Sequence, residues 1–156
     1  MFIKFKGPIL SLLAVILLIT GTSLSPVKVA TDDPWTAGQL MSPQILATLI
    51  SNFKGTDVPV IFNIGSVNTI KGAITIGPAG KDDGISLLAE KLKNVPKDRF
   101  IVIYCGCCPL FKCPNVRPAF NDLVKEGYTN IKVLNLATNL KTDWIDKGYP
   151  VEADNK

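Results

Sequence analysis

The sequence predicts an α/β fold with a central parallel sheet and helices on both faces. Short apolar runs alternate along the chain with segments whose apolar residues recur at helical spacing. The run over 100–104 is apolar throughout rather than at every second position, which is typical of parallel strands that are covered on both faces. Because strands and helices alternate, the connections are those of successive βαβ units.

The first half of the chain supplies a helix, two strands and a second helix. The first helix begins at Ser42, a helix-capping residue followed by Pro43. Buried strands are predicted over 58–63 and 73–76, with glycine-rich loops between and after them, and a helix over 85–92. On the first helix, the residues expected on the buried face are Ile45, Leu46, Leu49, Ile50 and Phe53.

The second half continues the same alternation. A strand over 100–104 is followed by a loop and a helix over 118–126. A further strand is expected over 131–136 and a short final helix over 139–147. Both helices are followed directly by a glycine, the residue that most often ends a helix.

Residues 1–30 have the three-part layout of a secretory signal. Lys4 and Lys6 precede an apolar core, and small and polar residues follow it. The core is shorter than the roughly 20 apolar residues of a membrane span. We therefore expect export to a periplasmic or secreted location, with membrane anchoring through residues 9–25 only if the segment is retained. Residues 31–156 are then expected to form one domain, within the usual size of about 100 to 150 residues.

Charge and composition argue against two classes of function. The full chain has a net charge of +4, but three of its lysines belong to the predicted signal, which leaves 14 basic and 13 acidic residues. A nearly neutral domain gives no reason to expect a nucleic-acid partner. Histidine is absent, which removes Ser/His and Cys/His catalytic pairs and every histidine-containing metal site.

The four cysteines fall within nine residues, between the strand over 100–104 and the next helix. They are Cys105, Cys107, Cys108 and Cys113. This loop belongs to the carboxyl edge of the predicted sheet, where ligands bind in open α/β sheets. The N-terminus of the following helix offers unpaired N–H groups and partial positive charge, which favour the thiolate form of a nearby cysteine. We therefore expect the chemistry in this loop.

Several stretches resemble the rhodanese-like sulfurtransferases. Residues 101–105 look like the strand that ends in the nucleophilic cysteine of that family, and residues 70–74 look like its Gly-His-Ile-Pro-Gly-Ala segment. Residues 143–144 and 148–151 look like its closing motif. The resemblance spans about 42–151 and implies a rhodanese-like fold for the domain.

The resemblance also implies a persulfide mechanism without a bound cofactor. Cys105 would attack the outer sulfur of a small sulfur-containing anion or a persulfide donor, and the sulfane sulfur would then pass to a thiol acceptor. Backbone amides from Gly106 toward Leu110 would hold the charged terminal sulfur. No separate general base is required, which is consistent with the absence of histidine.

The additional thiols leave other interpretations open. Cys107, Cys108 and Cys113 can serve as resolving or relay thiols, in which case a persulfide or sulfenate on Cys105 ends as a disulfide in thiol redox chemistry. The four cysteines can instead bind copper(I), or less readily zinc, without turnover. Alternatively, disulfides such as one between Cys105 and Cys108, or between Cys108 and Cys113, merely staple the loop.

Three further residues are candidates for supporting roles. Arg117 lies beside the predicted helix and is a candidate for pairing with an anionic substrate through its planar guanidinium group, or else a surface residue. Asn115 is expected to cap the helix. Phe111 is expected either to shield the sulfur as an exposed lip or to fold into the core.

Overall fold

A computed structural model of the protein describes residues 33–67 and 70–153. Its described part contains a parallel sheet of five strands, which confirms the predicted α/β class. The predicted signal segment lies outside the described residues. Within the described ranges, no helix is long and apolar enough to cross a bilayer. The strands are Leu40–Met41 (β1), Val60–Asn63 (β2), Ile74–Thr75 (β3), Ile101–Tyr104 (β4) and Ile131–Leu134 (β5).

The strands lie in the order β1-β5-β4-β2-β3, so β4 is central. Helices cover both faces, as the sequence predicts. The helices are Pro43–Asn52 (α1), Asp82–Leu92 (α2), Val116–Lys125 (α3) and Leu140–Asp143 (α4). Helices α2 and α3 pack on one face in a core cluster with strand residues such as Ile103, and helices α1 and α4 pack on the other with residues such as Val102.

The first helix begins where the sequence predicts but buries a narrower face. The Ser42 hydroxyl oxygen accepts a hydrogen bond from the Ile45 amide at 3.3 Å, which confirms the cap. Leu46 and Ala47 are buried. Ile45 and Phe53 are exposed, so the predicted burial of these two side chains was wrong. Phe53 follows the last helical residue in an extended conformation, and helical periodicity therefore no longer sets the direction of its side chain.

Other differences concern the ends of elements. Strand β1 was not predicted because a strand of two residues is too short to show a pattern. Helix α2 begins at Asp82, three residues before the predicted start, with two acidic side chains in the first turn where the helix dipole favours them. The predicted final helix is divided into α4 and a 3-10 turn over Ile145–Lys147, which Gly148 ends with a φ of 68°.

Candidate active site

The candidate site lies where β2 and β4 end side by side at the carboxyl edge of the sheet. Asn63 pairs in register with Tyr104, and the Ile64 amide donates a hydrogen bond to the Tyr104 carbonyl at 2.9 Å. The chain after β2 therefore continues alongside Cys105. A Cβ atom placed on Gly65 would lie 2.7 Å from the Cys105 Sγ, closer than any side chain tolerates. Glycine at this position leaves the space that the sulfur occupies.

Cys105 is buried, and several hydrogen-bond donors surround its sulfur. Its side chain is only 4% exposed. The Asn115 Nδ2 atom donates to the Sγ at 3.4 Å, the Cys107 Sγ lies 3.5 Å away, and the Cys107 amide and Cys113 thiol also donate. The Cys113 hydrogen bond, followed by those of Asn115 and Cys107, outweighs burial and lowers the pKa of Cys105 to about 5. Cys105 is therefore a thiolate at neutral pH.

Cys113 connects Cys105 to the N-terminus of α3. It is fully buried, and its sulfur accepts hydrogen bonds from the amides of Asn115 and Val116. Its hydrogen bond to Cys105, together with burial, raises the pKa of Cys113 well above its usual range. The Cys113 thiol therefore keeps its proton and donates a hydrogen bond to the Cys105 thiolate. The amides at the start of α3 therefore donate to the Cys113 sulfur, and Cys113 in turn donates to Cys105, so the helix N-terminus acts on Cys105 through Cys113.

Asn115 precedes α3, as expected, but its side chain does not cap the helix. The side chain is buried and points to Cys105 and Gly80 instead. Its Oδ1 atom accepts a hydrogen bond from the Gly80 amide at 2.8 Å, which turns the Nδ2 group toward the Cys105 sulfur. Because a backbone amide can only donate, the orientation of the Asn115 amide group is fixed. The predicted capping role was wrong, and the residue serves the thiolate instead.

Cys107 is the exposed neighbour of the buried thiolate. Its sulfur lies 3.5 Å from the Cys105 sulfur and 3.4 Å from the Cys108 sulfur. Desolvation, followed by hydrogen bonds to Cys108 and Cys105, raises the pKa of Cys107 to about 12, so this thiol stays protonated. All four cysteines are free in this structure, and the disulfide staple stays one of the predicted alternatives.

Three of the thiols are close enough together to bind one metal ion. The sulfur atoms of Cys105, Cys107 and Cys108 all lie within 4.8 Å of one another. Cys113 is not a member of this group. A set of three thiolates suits copper(I), a soft ion, better than the four-coordinate sites that structural zinc prefers.

The backbone of the loop is only partly free to bind a substrate sulfur. Of the amides expected between Gly106 and Leu110, that of Cys107 donates to the Cys105 sulfur. The Leu110 amide donates to the Leu136 carbonyl at 2.9 Å and is committed within the fold. The Gly106 carbonyl accepts from the Leu140 amide at 2.9 Å, which ties the loop to the start of α4. Substrate binding by Gly106 and Leu110 stays a prediction.

Arg117 braces the loop from outside. Its guanidinium group forms an ion pair with Asp33 and lies 5.7 Å from the centre of the Trp35 ring. It also donates to the carbonyls of Phe111 at 3.3 Å and Cys113 at 3.4 Å. The predicted pairing of Arg117 with a substrate anion stays a prediction, because these contacts are all within the protein. Phe111 itself is 63% exposed, as a lip requires.

Sequence reasoning missed the residues that shape the space around the thiolate. Gly65 and Gly80 admit Cys105 and Asn115, since a Cβ on Gly80 would lie 2.8 Å from the Asn115 Oδ1. The buried Asn63 Oδ1 accepts a hydrogen bond from the Gly65 amide at 3.1 Å and so fixes the turn. A signal was present, because the asparagine that ends a predicted strand is followed two residues later by a glycine.

The fold and the site define a parallel α/β domain with a buried thiolate at the carboxyl end of its central strand. No protein-family model matches the sequence, and no curated protein matches it. Among solved structures, the chain is similar to a cysteine-to-serine variant of EanB in complex with hercynine, with a TM-score of 0.51 and 20% identity. It is also similar to wild-type EanB, with a TM-score of 0.50 and 21% identity.

Both alignments cover 73% of this chain but only 27% of the EanB chain. The chain therefore spans little more than a quarter of the length of the structures it matches. At this level of identity the similarity shows the fold alone.

Proposed function

We propose that the protein is a rhodanese-like sulfurtransferase that forms a persulfide on Cys105 and passes the sulfane sulfur to a thiol acceptor. The observation that carries the proposal is the buried Cys105 sulfur with donors from Cys113, Asn115 and Cys107 around it. These donors make Cys105 a thiolate without a general base, and the thiolate is the nucleophilic form of cysteine. The proposal therefore accommodates a chain without histidine.

The same donors assist both halves of the proposed reaction. With thiosulfate as the donor, the Cys105 thiolate attacks the outer sulfur, the sulfur–sulfur bond of thiosulfate breaks, and sulfite leaves with the bonding electrons. An acceptor thiolate then attacks the terminal sulfur of the persulfide, and the Cys105 thiolate leaves. Because a thiol of low pKa leaves faster, the hydrogen bonds from Cys113 and Asn115 favour this second step as well.

The proposed partners are small. A sulfur-containing anion or a persulfide is the donor and a thiol is the acceptor, with no nucleic acid involved. Export is also part of the proposal and rests on the pattern of residues 1–30. N-terminal sequencing of protein recovered from the exported fraction tests it: a start within or just after residues 25–31 supports cleavage, and an intact Met1 in the cytoplasmic fraction contradicts export.

The direct test of sulfur transfer is the release of sulfite in the first turnover. Reduced protein is mixed with thiosulfate without oxygen, and sulfite is measured against the amount of protein. We expect one sulfite per chain from the wild type and none from Cys105→Ser. Cys108→Ser, which also exchanges one sulfur for oxygen in this loop, is the matched comparison and should release sulfite. Equal release from Cys105→Ser would contradict the proposal.

A second candidate function is metal binding without turnover, favoured by the three sulfur atoms within 4.8 Å of one another. It predicts that reduced protein retains one copper(I) or zinc ion per chain after gel filtration. Replacing both Cys107 and Cys108 by Ser should abolish retention, whereas Cys113→Ser should not. Metal analysis that finds no retained ion in the reduced wild type would remove this candidate.

A further inference from the structure

Two thiols of unequal exposure are in contact at the site. Cys105 is buried, whereas Cys107 is exposed, and their sulfur atoms are 3.5 Å apart. The other side chains that donate to the Cys105 sulfur, those of Cys113 and Asn115, are buried. Cys107 is therefore the solvent-exposed thiol that is in contact with the buried Cys105 sulfur.

The two sulfur atoms are close enough to form a bond after a small movement. A disulfide bond is about 2.05 Å long, so the two atoms need to approach by about 1.5 Å. Cys105 is fixed by Gly65 and Asn115, but the exposed Cys107 side chain has room to turn. Gly106, between the two cysteines, is held by the Leu140 contact, so the movement falls to the Cys107 side chain.

Cys108 and Cys113 are less suited to the same step. The Cys108 sulfur lies within 4.8 Å of the Cys105 sulfur, but its hydrogen-bond contact is with the Cys107 sulfur, at 3.4 Å. Cys113 does contact Cys105, but it is fully buried and held by two amides at the start of α3. A disulfide between Cys105 and Cys113 would remove the donor on which the thiolate depends.

We propose that Cys107 is the resolving thiol, which attacks the Cys105 sulfur of the persulfide and releases hydrosulfide. This inference rests on the proposed function. The bond between Cys105 and the sulfane sulfur breaks, and a bond between Cys105 and Cys107 forms. The proton of Cys107 passes to the terminal sulfur, which gives Cys107 the thiolate form that attacks, and the terminal sulfur leaves as hydrosulfide with the bonding electrons. One sulfane sulfur is thereby reduced to hydrosulfide while two cysteines are oxidised to a disulfide, which an external dithiol reduces by exchange.

The inferred activity is therefore reduction of sulfane sulfur, with the Cys105 and Cys107 pair as the source of both electrons. It differs from transfer to an external acceptor in its product. Transfer leaves every protein thiol reduced, whereas resolution by Cys107 yields hydrosulfide and consumes two thiols in each turnover. This difference can be measured without knowledge of the physiological donor or acceptor.

The test is one turnover with thiosulfate under anaerobic conditions and without a reductant. Sulfite, sulfide and alkylatable thiols are counted for each chain. We expect the wild type to release one sulfite and one sulfide and to fall from four free cysteines to two. Cys107→Ser keeps the backbone amide that donates to Cys105, and sulfite is counted at completion, so a slower first step does not change the count. This variant should release one sulfite per chain but no sulfide and should keep a mass gain of one sulfur atom. Cys107 is exposed, so this substitution does not threaten the fold.

Cys108→Ser locates the disulfide. Peptide mapping of this variant after the turnover should find Cys105 joined to Cys107, together with one released sulfide. Loss of sulfide in Cys108→Ser and its retention in Cys107→Ser would overturn the inference. A wild type that releases sulfite but keeps a stable persulfide would overturn it while the proposed function stands. Absence of sulfite from the wild type would defeat both.

Discussion

The loops after β2 and β4 end at the same edge of the sheet and contribute in opposite ways. The loop after β4 carries the thiols, and Cys105 directly follows Tyr104, the last residue of β4. The loop after β2 carries none of the thiols; it supplies Gly65, whose missing side chain leaves the space for the Cys105 sulfur. Its buried Asn63 accepts a hydrogen bond from the Gly65 amide and holds that position.

The two loops depend on each other. A thiolate buried to this extent needs donors on one side and unobstructed space on the other, since an uncompensated buried charge is costly. The loop after β4 and the start of α3 provide the donors, and the loop after β2 provides the space. Substitutions in either loop should therefore affect the same sulfur, but by different physical routes.

The largest effect is expected from filling the space beside the sulfur. Gly65→Ala places a Cβ 2.7 Å from the Cys105 Sγ and 3.3 Å from its Cα. Overpacking of this kind costs about 1 to 3 kcal/mol, and displacement of the sulfur from its donors should reduce sulfite release at least tenfold, about 1.4 kcal/mol in the barrier. Thermal unfolding and single-turnover kinetics measure the two effects.

Gly38→Ala is the matched control, because the nearest atom to its Cβ lies at an ordinary 3.8 Å. This variant should match the wild type in both measurements. If Gly65→Ala also behaved as the wild type does, the loop after β2 would not shape the site.

The next effect is expected from the donor inside the reactive loop. Cys113→Ala removes the hydrogen bond that contributes most to the lowered pKa of Cys105, and this pKa should rise from about 5 toward 9.0. The thiolate exists above its pKa, so the variant should lose reactivity between pH 5 and 9 and recover it at higher pH. The pH dependence of sulfite release measures the shift.

Cys113→Ser separates the loss of a donor from a change in packing. Its hydroxyl group can still donate to Cys105, so the pH profile should lie closer to that of the wild type than the profile of Cys113→Ala does. If the two variants shifted the profile equally, the hydrogen bond from Cys113 would not be the cause.

A moderate effect is expected at Asn115, whose two ends serve different partners. Asn115→Ala leaves the Gly80 amide and the Cys105 thiolate each without a hydrogen bond, at a cost of about 1 to 3 kcal/mol in stability. Asn115→Asp keeps an acceptor for Gly80 but turns a negative oxygen toward the thiolate. It should therefore lose less stability than Asn115→Ala and raise the pKa of Cys105 more.

Chemical denaturation and alkylation rates against pH measure these two quantities at Asn115. The prediction fails if Asn115→Asp is the less stable variant, or if its thiol pKa stays below that of Asn115→Ala.

The smallest effect is expected at the outer brace. Arg117→Gln removes the ion pair with Asp33, which is partly exposed on the arginine side and should contribute no more than about 1 kcal/mol. If Arg117 has only this structural role, Arg117→Gln should leave the KM for thiosulfate unchanged, and Asp33→Asn should show the same small loss of stability. A rise in KM confined to Arg117→Gln would show that Arg117 also binds the anion, as the sequence suggests.

The sequence was sufficient to predict the strand, loop and helix that place the thiols, because β4 is apolar throughout and α3 has a clear apolar stripe. It was insufficient for the hydrogen bonds. Asn115 at the start of α3 follows the capping pattern, and only the approach of the Gly80 amide from another loop turns its side chain toward Cys105. Such long-range contacts leave no local pattern in the sequence.

The glycine opposite the sulfur illustrates the same limit. Gly65 has a sequence context typical of any turn, and its role depends on the pairing of β2 beside β4. The order of parallel strands cannot be obtained from periodicity, since neighbouring strands such as β2 and β4 show no alternation of apolar and polar residues. The position of the thiols in the loop after β4 was therefore predictable, whereas the shape of the space around them was not.

The most direct test of whether Cys105 is a thiolate at neutral pH is the pH dependence of its alkylation in the reduced protein, followed peptide by peptide with mass spectrometry. A buried thiolate held by Cys113, Asn115 and Cys107 predicts a midpoint near pH 5 for Cys105, while Cys107 remains unreactive until far higher pH. A midpoint for Cys105 near pH 9.0, the pKa of an ordinary thiol, would show that these donors do not hold Cys105 as a thiolate.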